Sequence, residues 1–219
     1  GEDATLKEGK TAVAFFVTGN VHKFHEARDI LSKHCIATAM LNIKAVETQD
    51  DNIKAIAKTS ALDAAHKSGL PVFVEDAGLF INALNGFPGP YSNYVYRTIG
   101  TRGIVKLMEN VSQRDSYFQS VVAFCNPDEK AEPLCFDGKV DGTIAYKESG
   151  EQGFGFDPIF EPSKVKKSET FAQMTTEEKN KCSHRARALR KFAEWYTSCL
   201  TKIKKKKSGV ERTSFRLQL

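Results

Sequence analysis

Hydrophobic residues in the first part of this chain switch from a continuous run to a helical stripe. The apolar run at residues 11–18 predicts a strand buried on both faces. It ends at the turn signal Gly19-Asn20, after which apolar positions recur at helical spacing from Val21 to His34. A strand, a turn and a helix therefore open the domain.

The same reasoning predicts the remaining elements. Further strands are expected near 36–43, 71–76, 116–125 and 132–146, and helices over 52–68, 101–110 and 183–202. Gly69 and Pro71 should end the helix at 52–68. Two loops rich in Gly and Pro lie at 85–91 and 153–158. This mixture predicts an α/β fold whose sheet is partly antiparallel.

The positive charge of the chain is concentrated at its carboxyl-terminal end. Lys and Arg outnumber Asp and Glu by 32 to 27, a formal net charge of +5. Seven of the basic residues but only one acid follow residue 200, so residues 1–200 hold 25 basic and 26 acidic residues. This balance argues against a nucleic-acid-binding domain. We expect a flexible leader at 1–10, the domain at 11–201 and a basic C-terminal tail at 202–219.

Composition otherwise indicates an ordinary globular protein, 41% hydrophobic and 27% charged. The five cysteines are odd in number and lack the spacing of metal-ligand pairs. We therefore expect free thiols in a reducing compartment, with a cytoplasmic location by default. No apolar run approaches the length of a membrane span, so no membrane association is expected.

The turn after the first strand has the features of a phosphate-binding site. Thr18, Gly19 and Asn20 precede a helix whose first turn carries Lys23. A helix N-terminus presents unpaired N–H groups and partial positive charge, and the lysine adds a full one. The glycine spacing is not that of a Walker loop, and a Gly-Asn turn is also an ordinary connection without function.

Two adjacent carboxylates, Glu75 and Asp76, end the predicted strand at 71–76. The carboxyl edge of a parallel sheet is where open α/β folds bind ligands. Carboxylate oxygens suit Mg²⁺, which bridges to substrate phosphates, and Glu47 after the second strand is a further candidate ligand. An exposed acidic turn is the alternative interpretation.

Five stretches, in family-like order and spacing over about residues 13–196, closely resemble the inosine triphosphate pyrophosphatase family. They are 17–26 (VTGNVHKFHE), 74–79 (VEDAGL), 83–91 (ALNGFPGPY), 153–160 (GFGFDPIF) and the segment from Thr170 to Arg185 that ends in Ser-His-Arg. The resemblance implies an elongated mixed β-sheet with flanking helices, in two lobes around a central cleft, and a homodimer. It also implies Mg²⁺-dependent hydrolysis of ITP, dITP and XTP to the monophosphate and pyrophosphate, with Mn²⁺ as a possible substitute.

The resemblance also assigns roles to individual residues. Asp76, Lys23 and Lys58 are the expected catalytic residues, with Glu47 and Asp76 as metal ligands. The triphosphate would be held by Thr18, Gly19, Asn20, Lys23, Lys58 and Lys179. Phe154 would stack on the purine, and the base pocket would be shaped and read by Gly155, Phe156, Asp157, Ser183, His184 and Arg185.

The chain departs from the family pattern in two places. Ala77 stands where the family usually has Ser or Thr, so a hydrogen bond from that side chain is missing. The aromatic residue at Phe156 varies within the family. The tail beyond about residue 202 lies outside the resemblance.

Two other functions remain open at this point. One is a pyrophosphatase of other modified nucleotides, as in the similarly folded septum-inhibitor family. The other is a catalytically inactive protein that binds RNA through the basic tail, a binding that salt would weaken steeply.

Overall fold

The computed structural model describes residues 12–46, 48–128, 132–165 and 168–214, with side chains described as far as residue 201. In these ranges one sheet contains the strands β1 (Ala12–Val17), β2 (Ile36–Leu41), β3 (Val72–Ile81), β4 (Pro88–Gly89), β5 (Asp115–Cys125), β6 (Leu134–Ile144) and β7 (Phe160–Pro162). The helices are α1 (Val21–Ser32), α2 (Ile53–Ser68), α3 (Ser92–Thr98), α4 (Gly100–Leu107), α5 (Thr176–Cys182) and α6 (His184–Ser214).

The sheet is mixed, with the order β2-β1-β3-β5-β6-β7 and β4 paired to β3. β1 runs parallel to both β2 and β3, whereas β3, β5, β6 and β7 pair antiparallel in that order. The parallel part follows from the helical crossovers α1 and α2. The predicted α/β class with a partly antiparallel sheet is confirmed.

Local signals explain where the first two helices begin and end. The side chain of Asn20 accepts a hydrogen bond from the Lys23 backbone at 3.1 Å and caps α1. Asn52 caps α2 in the same way, through the backbone N–H of Lys54. Gly69 ends α2 in the left-handed conformation (φ 65°), as predicted.

The structure differs from the predicted elements in three places. β3 does not end at Asp76 but continues to Ile81, because β5 pairs with it along its whole length. The helix expected over 101–110 is present as α4, which runs from Gly100 to Leu107, but α3 before it was not predicted; Ile99 lies between the two helices. α5 was not predicted, although Thr175 and Glu178 form a capping box at its start.

Further predictions concern the two ends of the chain, its membrane association and its cysteines. The leader at 1–10 lies outside the described residues. The helix α6 begins at His184, as expected, but its backbone continues to Ser214, beyond the predicted end near 202. In the described part of the chain no helix is long and apolar enough to cross a membrane. All five cysteines are free, as predicted.

Apolar clusters lie at both ends of one face of the sheet. Phe73 and Val122 pack with α1 and α6 at one end, whereas Leu79 and Phe118 belong to a second cluster further along the same strands. Between them, on the same face, β3 carries Glu75. The opposite face packs on α2 through a third cluster. The face that bears α1 and α6 is therefore divided into two lobes by a polar layer.

Candidate active site

The turn between β1 and α1 is held by hydrogen bonds from its own side chains. The backbone N–H of Asn20 donates to Oγ1 of Thr18 at 3.1 Å, and Asn20 in turn caps the helix. Gly19 is exposed between them. The predicted phosphate-binding turn thus has an ordered backbone at the N-terminus of a helix.

Lys23 connects this turn to β3. Its Nζ lies 2.9 Å from Oε2 of Glu75 and donates to the backbone carbonyl of the same residue at 3.0 Å. Its side chain is one-fifth exposed, whereas that of Glu75 is fully buried. The first turn of α1 therefore contacts β3 at Glu75, and β3 continues beyond this point to Ile81.

Glu75 lies at the centre of a buried group of charges. Ser120 Oγ on β5 donates to its Oε1 at 2.5 Å, and Arg185 Nε lies 3.1 Å from the same oxygen. Arg185 also pairs through Nη1 with Glu26 at 2.6 Å. Ser120 lies opposite Ala77 in the strand pairing, so a hydroxyl from β5 is available where residue 77 has none.

Lys179 extends the group to the loop at 153–158. Its Nζ lies 2.7 Å from Glu26 and 2.6 Å from Asp157, and all three side chains are almost fully buried. We call the six residues that these contacts join the charge layer; they are Lys23, Glu26, Glu75, Asp157, Lys179 and Arg185. Three carboxylates face three cations, a balance that burial demands because an unpaired buried charge is strongly destabilising.

The ionisation of the charge layer follows from these pairs. Burial opposes ionisation of Glu75, but Arg185 and Lys23 prevail and hold its pKa far below the ordinary value. The pKa of Glu26 is likewise lowered by Arg185 and Lys179 against the effect of burial. Asp157 differs because burial outweighs its pairing with Lys179, and its pKa is raised.

Phe154 forms one wall of the site. Its ring lies 4.8 Å from Nζ of Lys179 and 5.1 Å from Cζ of Arg185, both within cation–π range. Its backbone N–H donates to Asp157 Oδ2 at 2.8 Å, which ties the loop to the charge layer. Gly155 follows with φ at 64°, a conformation that favours glycine.

His184 lies just behind the charge layer, at the start of α6. Its ring stacks on Phe118 with centroids 4.5 Å apart and planes 8° apart. Burial, with Arg185 and Lys179 nearby, places its pKa well below the ordinary value, so the ring is neutral at neutral pH. Its Nδ1 has no hydrogen-bond partner among the described residues. Ser183, fully buried, accepts a hydrogen bond from the backbone of Ala186 and caps the helix.

Three predicted site residues lie apart from the charge layer. Phe156 is 3% exposed and belongs to the apolar cluster that contains Leu79 and Phe118. Its ring packs edge-on against Tyr96. Lys58 on α2 pairs with the exposed Glu132 at 2.6 Å. Asp76 follows Glu75 directly, so its side chain points to the opposite face of the sheet, the one that packs on α2, and it is partly exposed.

On the α2 face, Asp76 offers a carboxylate of the kind that a hydrated divalent cation takes as a ligand. The described residues contain no group of three or more His, Cys, Asp or Glu side chains that could hold a metal. Mg²⁺ needs no such group, since one or two carboxylates and substrate phosphates suffice. Asp76 can supply one such carboxylate. Glu47 lies outside the described residues, but Val46 before it is held to α2 by hydrogen bonds to Asp63 and Ser60.

Sequence reasoning missed two members of this arrangement. Glu26 was not assigned a role, although it is a buried carboxylate on the apolar side of α1, one turn after Lys23. Ser120 was also missed, and nothing in a strand sequence marks which serine will donate a hydrogen bond to a carboxylate of the neighbouring strand. A charged residue at an apolar position of a helical stripe was the available signal for Glu26.

Comparisons with known proteins agree with this architecture. The chain matches the model of the Ham1 family over residues 14–195. It is 49% identical over 181 residues to a protein of Methanopyrus kandleri named dITP/XTP pyrophosphatase, covering 83% of this chain and 94% of that protein. A protein of the same name from Methanothermobacter marburgensis is 50% identical over 182 residues, covering 83% and 95%.

Solved structures show the same fold. A HAM1 protein from Coxiella burnetii superposes with a TM-score of 0.74 at 29% identity, covering 85% of this chain and 99% of that one. The Staphylococcus aureus Ham1 protein gives 0.71 at 27% identity, covering 84% and 98%. The fold and the family resemblance predicted from the sequence are confirmed: the chain belongs to the Ham1 family.

Proposed function

We propose that this protein hydrolyses the deaminated purine triphosphates ITP, dITP and XTP to the monophosphate and pyrophosphate. The observation that carries the proposal is a buried charge layer next to a helix N-terminus, in a chain about half identical to proteins named dITP/XTP pyrophosphatase. A triphosphate needs cations and N–H donors, and a base needs an aromatic surface. The groups that would bind the triphosphate and the aromatic ring that would bind the base are joined here by one connected set of contacts.

The triphosphate is assigned to the turn and its lysines. Thr18, Gly19 and Asn20 offer ordered backbone, and Lys23 lies at its rim with one-fifth of its side chain exposed. Lys58 reaches the substrate from α2 by leaving its exposed partner Glu132, an ion pair that costs little to break. Lys179 contributes positive potential from within the charge layer.

Asp76 is assigned both metal ligation, together with Glu47, and activation of the attacking water. Mg²⁺, or Mn²⁺ in its place, would supply charge neutralisation at the phosphates when bound. The water attacks the α-phosphorus, its proton passes to Asp76, and pyrophosphate leaves. Lys23 and Lys58 stabilise the charge that builds on the leaving group, so no covalent intermediate is required.

The base is assigned to the Phe154 side of the charge layer. Hypoxanthine and xanthine carry a 6-keto acceptor, which suits an N–H donor of His184 or Arg185; adenine carries an amino donor there and leaves both groups unpaired. Nε and Nη1 of Arg185 already face carboxylates. The unpartnered Nδ1 of His184 makes this residue the stronger candidate. Gly155, Asp157 and Ser183 shape the pocket through the backbone, and Phe156 supports it from the core.

The wider setting of the enzyme is also a proposal. The catalytic domain is assigned to residues 11–201, which includes the family match at 14–195. The free cysteines favour a cytoplasmic location. A homodimer is consistent with the exposed aromatic residues around α3, among them Tyr91 and Tyr94. Light scattering on the purified protein would distinguish a dimer from a monomer.

The direct test is a panel of ITP, XTP, dITP, GTP and ATP with Mg²⁺, with separate assays for pyrophosphate and orthophosphate. We expect pyrophosphate and the monophosphate from ITP, XTP and dITP, and much slower release from ATP. Orthophosphate with the diphosphate as end product would contradict the proposed bond cleavage. Preference for modified pyrimidine nucleotides would instead support the other pyrophosphatase class.

A further inference from the structure

His22 stacks on the proposed base-binding residue Phe154. The two ring centroids are 5.2 Å apart and the planes differ by 17°, a nearly parallel arrangement. His22 belongs to the first turn of α1, between the capping residue Asn20 and Lys23. The helix that follows the proposed triphosphate-binding turn therefore also places an aromatic ring on Phe154, the residue proposed to stack on the base.

The partners of Phe154 differ in how firmly they are held. Lys179 and Arg185 are buried and fixed by short ion pairs to carboxylates. His22 is exposed, and within the described part of the chain its ring contact with Phe154 is its one side-chain interaction. Of the three groups on the Phe154 ring, the imidazole alone is able to move without breaking a buried ion pair.

We propose that His22 is a second stacking residue for the base, which inserts between the imidazole and Phe154. The inference rests on the proposed function and adds a substrate-binding residue to it. On insertion, one imidazole–phenyl contact is replaced by two contacts with the base. Since the new contacts are made to the π-faces of the purine, they exist equally in the ground state and the transition state.

The role of His22 predicts a particular kinetic pattern. Uniform binding lowers KM without raising kcat. Stacking is also tolerant of base identity because every base has a π-face. His22→Ala should therefore raise KM for ITP and XTP by the same factor, about fivefold or more, and leave kcat within about twofold of wild type.

The test compares His22→Ala, His22→Phe and a matched control, His25→Ala. His25 is an exposed histidine on the same helix whose ring meets Phe24, not Phe154. KM should rise in His22→Ala, return toward wild type in His22→Phe and remain unchanged in His25→Ala. Inhibition by inorganic tripolyphosphate, which has no base, should be equal in all four proteins.

Three results would overturn the inference. They are an unchanged or lowered KM in His22→Ala, a failure of phenylalanine to restore it, and a parallel weakening of tripolyphosphate inhibition, which would place His22 on the phosphates. Calorimetric binding of inosine monophosphate separates this proposal from the proposed function because it needs no turnover. A wild-type protein that binds the monophosphate more tightly than His22→Ala but releases no pyrophosphate would retain the stacking role and refute the reaction.

Discussion

Glu75 and Asp76 are adjacent acids on one strand, yet they lie in different environments. Glu75 is fully buried, hydrogen-bonded by Ser120 and paired with Lys23 and Arg185. Asp76 points to the α2 face and is partly exposed. The period of two along a strand separates them. In the sequence the two carboxylates look like a metal-binding pair. We instead assign Glu75 to stabilising the fold through buried ion pairs, and Asp76 to metal ligation and activation of the attacking water.

The contrast predicts that substitutions on the two faces of the sheet have different effects, on stability at Glu75 and on activity at Asp76. A buried carboxylate between two cations cannot be removed without leaving charge unpaired. A partly exposed carboxylate can be neutralised with the fold retained, at the expense of the reaction. Substitutions on each face therefore distinguish stability from activity.

The largest expected effect on folding is that of Glu75→Gln. The change leaves Lys23 and Arg185 without their shared carboxylate, and losing one partner of a buried pair costs about 3–5 kcal/mol. Urea denaturation would measure the free energy of unfolding. A loss below about 1 kcal/mol would mean that the ion pairs of Glu75 behave like exposed ones.

A smaller loss is expected for Ser120→Ala. Its hydroxyl donates to an ionised carboxylate, a hydrogen bond that contributes about 1.5–3 kcal/mol. The matched control is Ser116→Ala, because Ser116 is buried on the same face of β5 but its hydroxyl has no hydrogen-bond partner among the described residues. Equal losses in the two variants would show that the bond to Glu75 adds nothing to stability.

On the α2 face, Lys58→Ala should reduce kcat/KM about 10- to 100-fold, the loss of one charge-assisted hydrogen bond to the leaving group. Glu132→Gln is the control, since it removes the partner of Lys58 without removing the lysine. This control should retain activity. If both variants lose activity alike, the ion pair itself and not the lysine is required.

The smallest expected effect is on how the free energy of unfolding depends on pH. Glu75 and Glu26 have pKa values lowered by folding, so their stabilisation is complete above the ordinary carboxylate range and is lost as pH falls below about 4.3. Each group contributes a slope of up to about 1.4 kcal/mol per pH unit. Acid titration of unfolding should be shallower in Glu75→Gln. An equal slope would show that Glu75 titrates alike in both states.

Local patterns predicted the elements well where the cause was local. The strand, turn and helix at the start follow from apolar spacing and from the Asn20 cap, and both were visible in the sequence. The end of β3 was not visible in the sequence, because β3 continues to Ile81 by pairing with β5, which lies more than 30 positions further along the chain. Non-local pairing of this kind cannot be deduced from one strand's residues.

The candidate site shows the same division. Lys23, Phe154, Asp157, Lys179 and Arg185 were expected in one place from the family resemblance, and the structure brings them together. Glu26, the shared partner of Lys179 and Arg185, lies 153 positions from Lys179. Which carboxylate satisfies which cation is settled by the folded packing of α1, α5 and α6.

The most direct test of the two-face account is a side-by-side assay of wild type and Asp76→Asn. It would measure pyrophosphate release from saturating ITP with Mg²⁺, and the melting temperature of both proteins. The account predicts a fall in kcat of at least about 10²-fold, with a melting temperature far closer to wild type than that of Glu75→Gln. A variant that keeps its rate, or one that loses activity only because it unfolds, would contradict the assignment of the chemistry to Asp76.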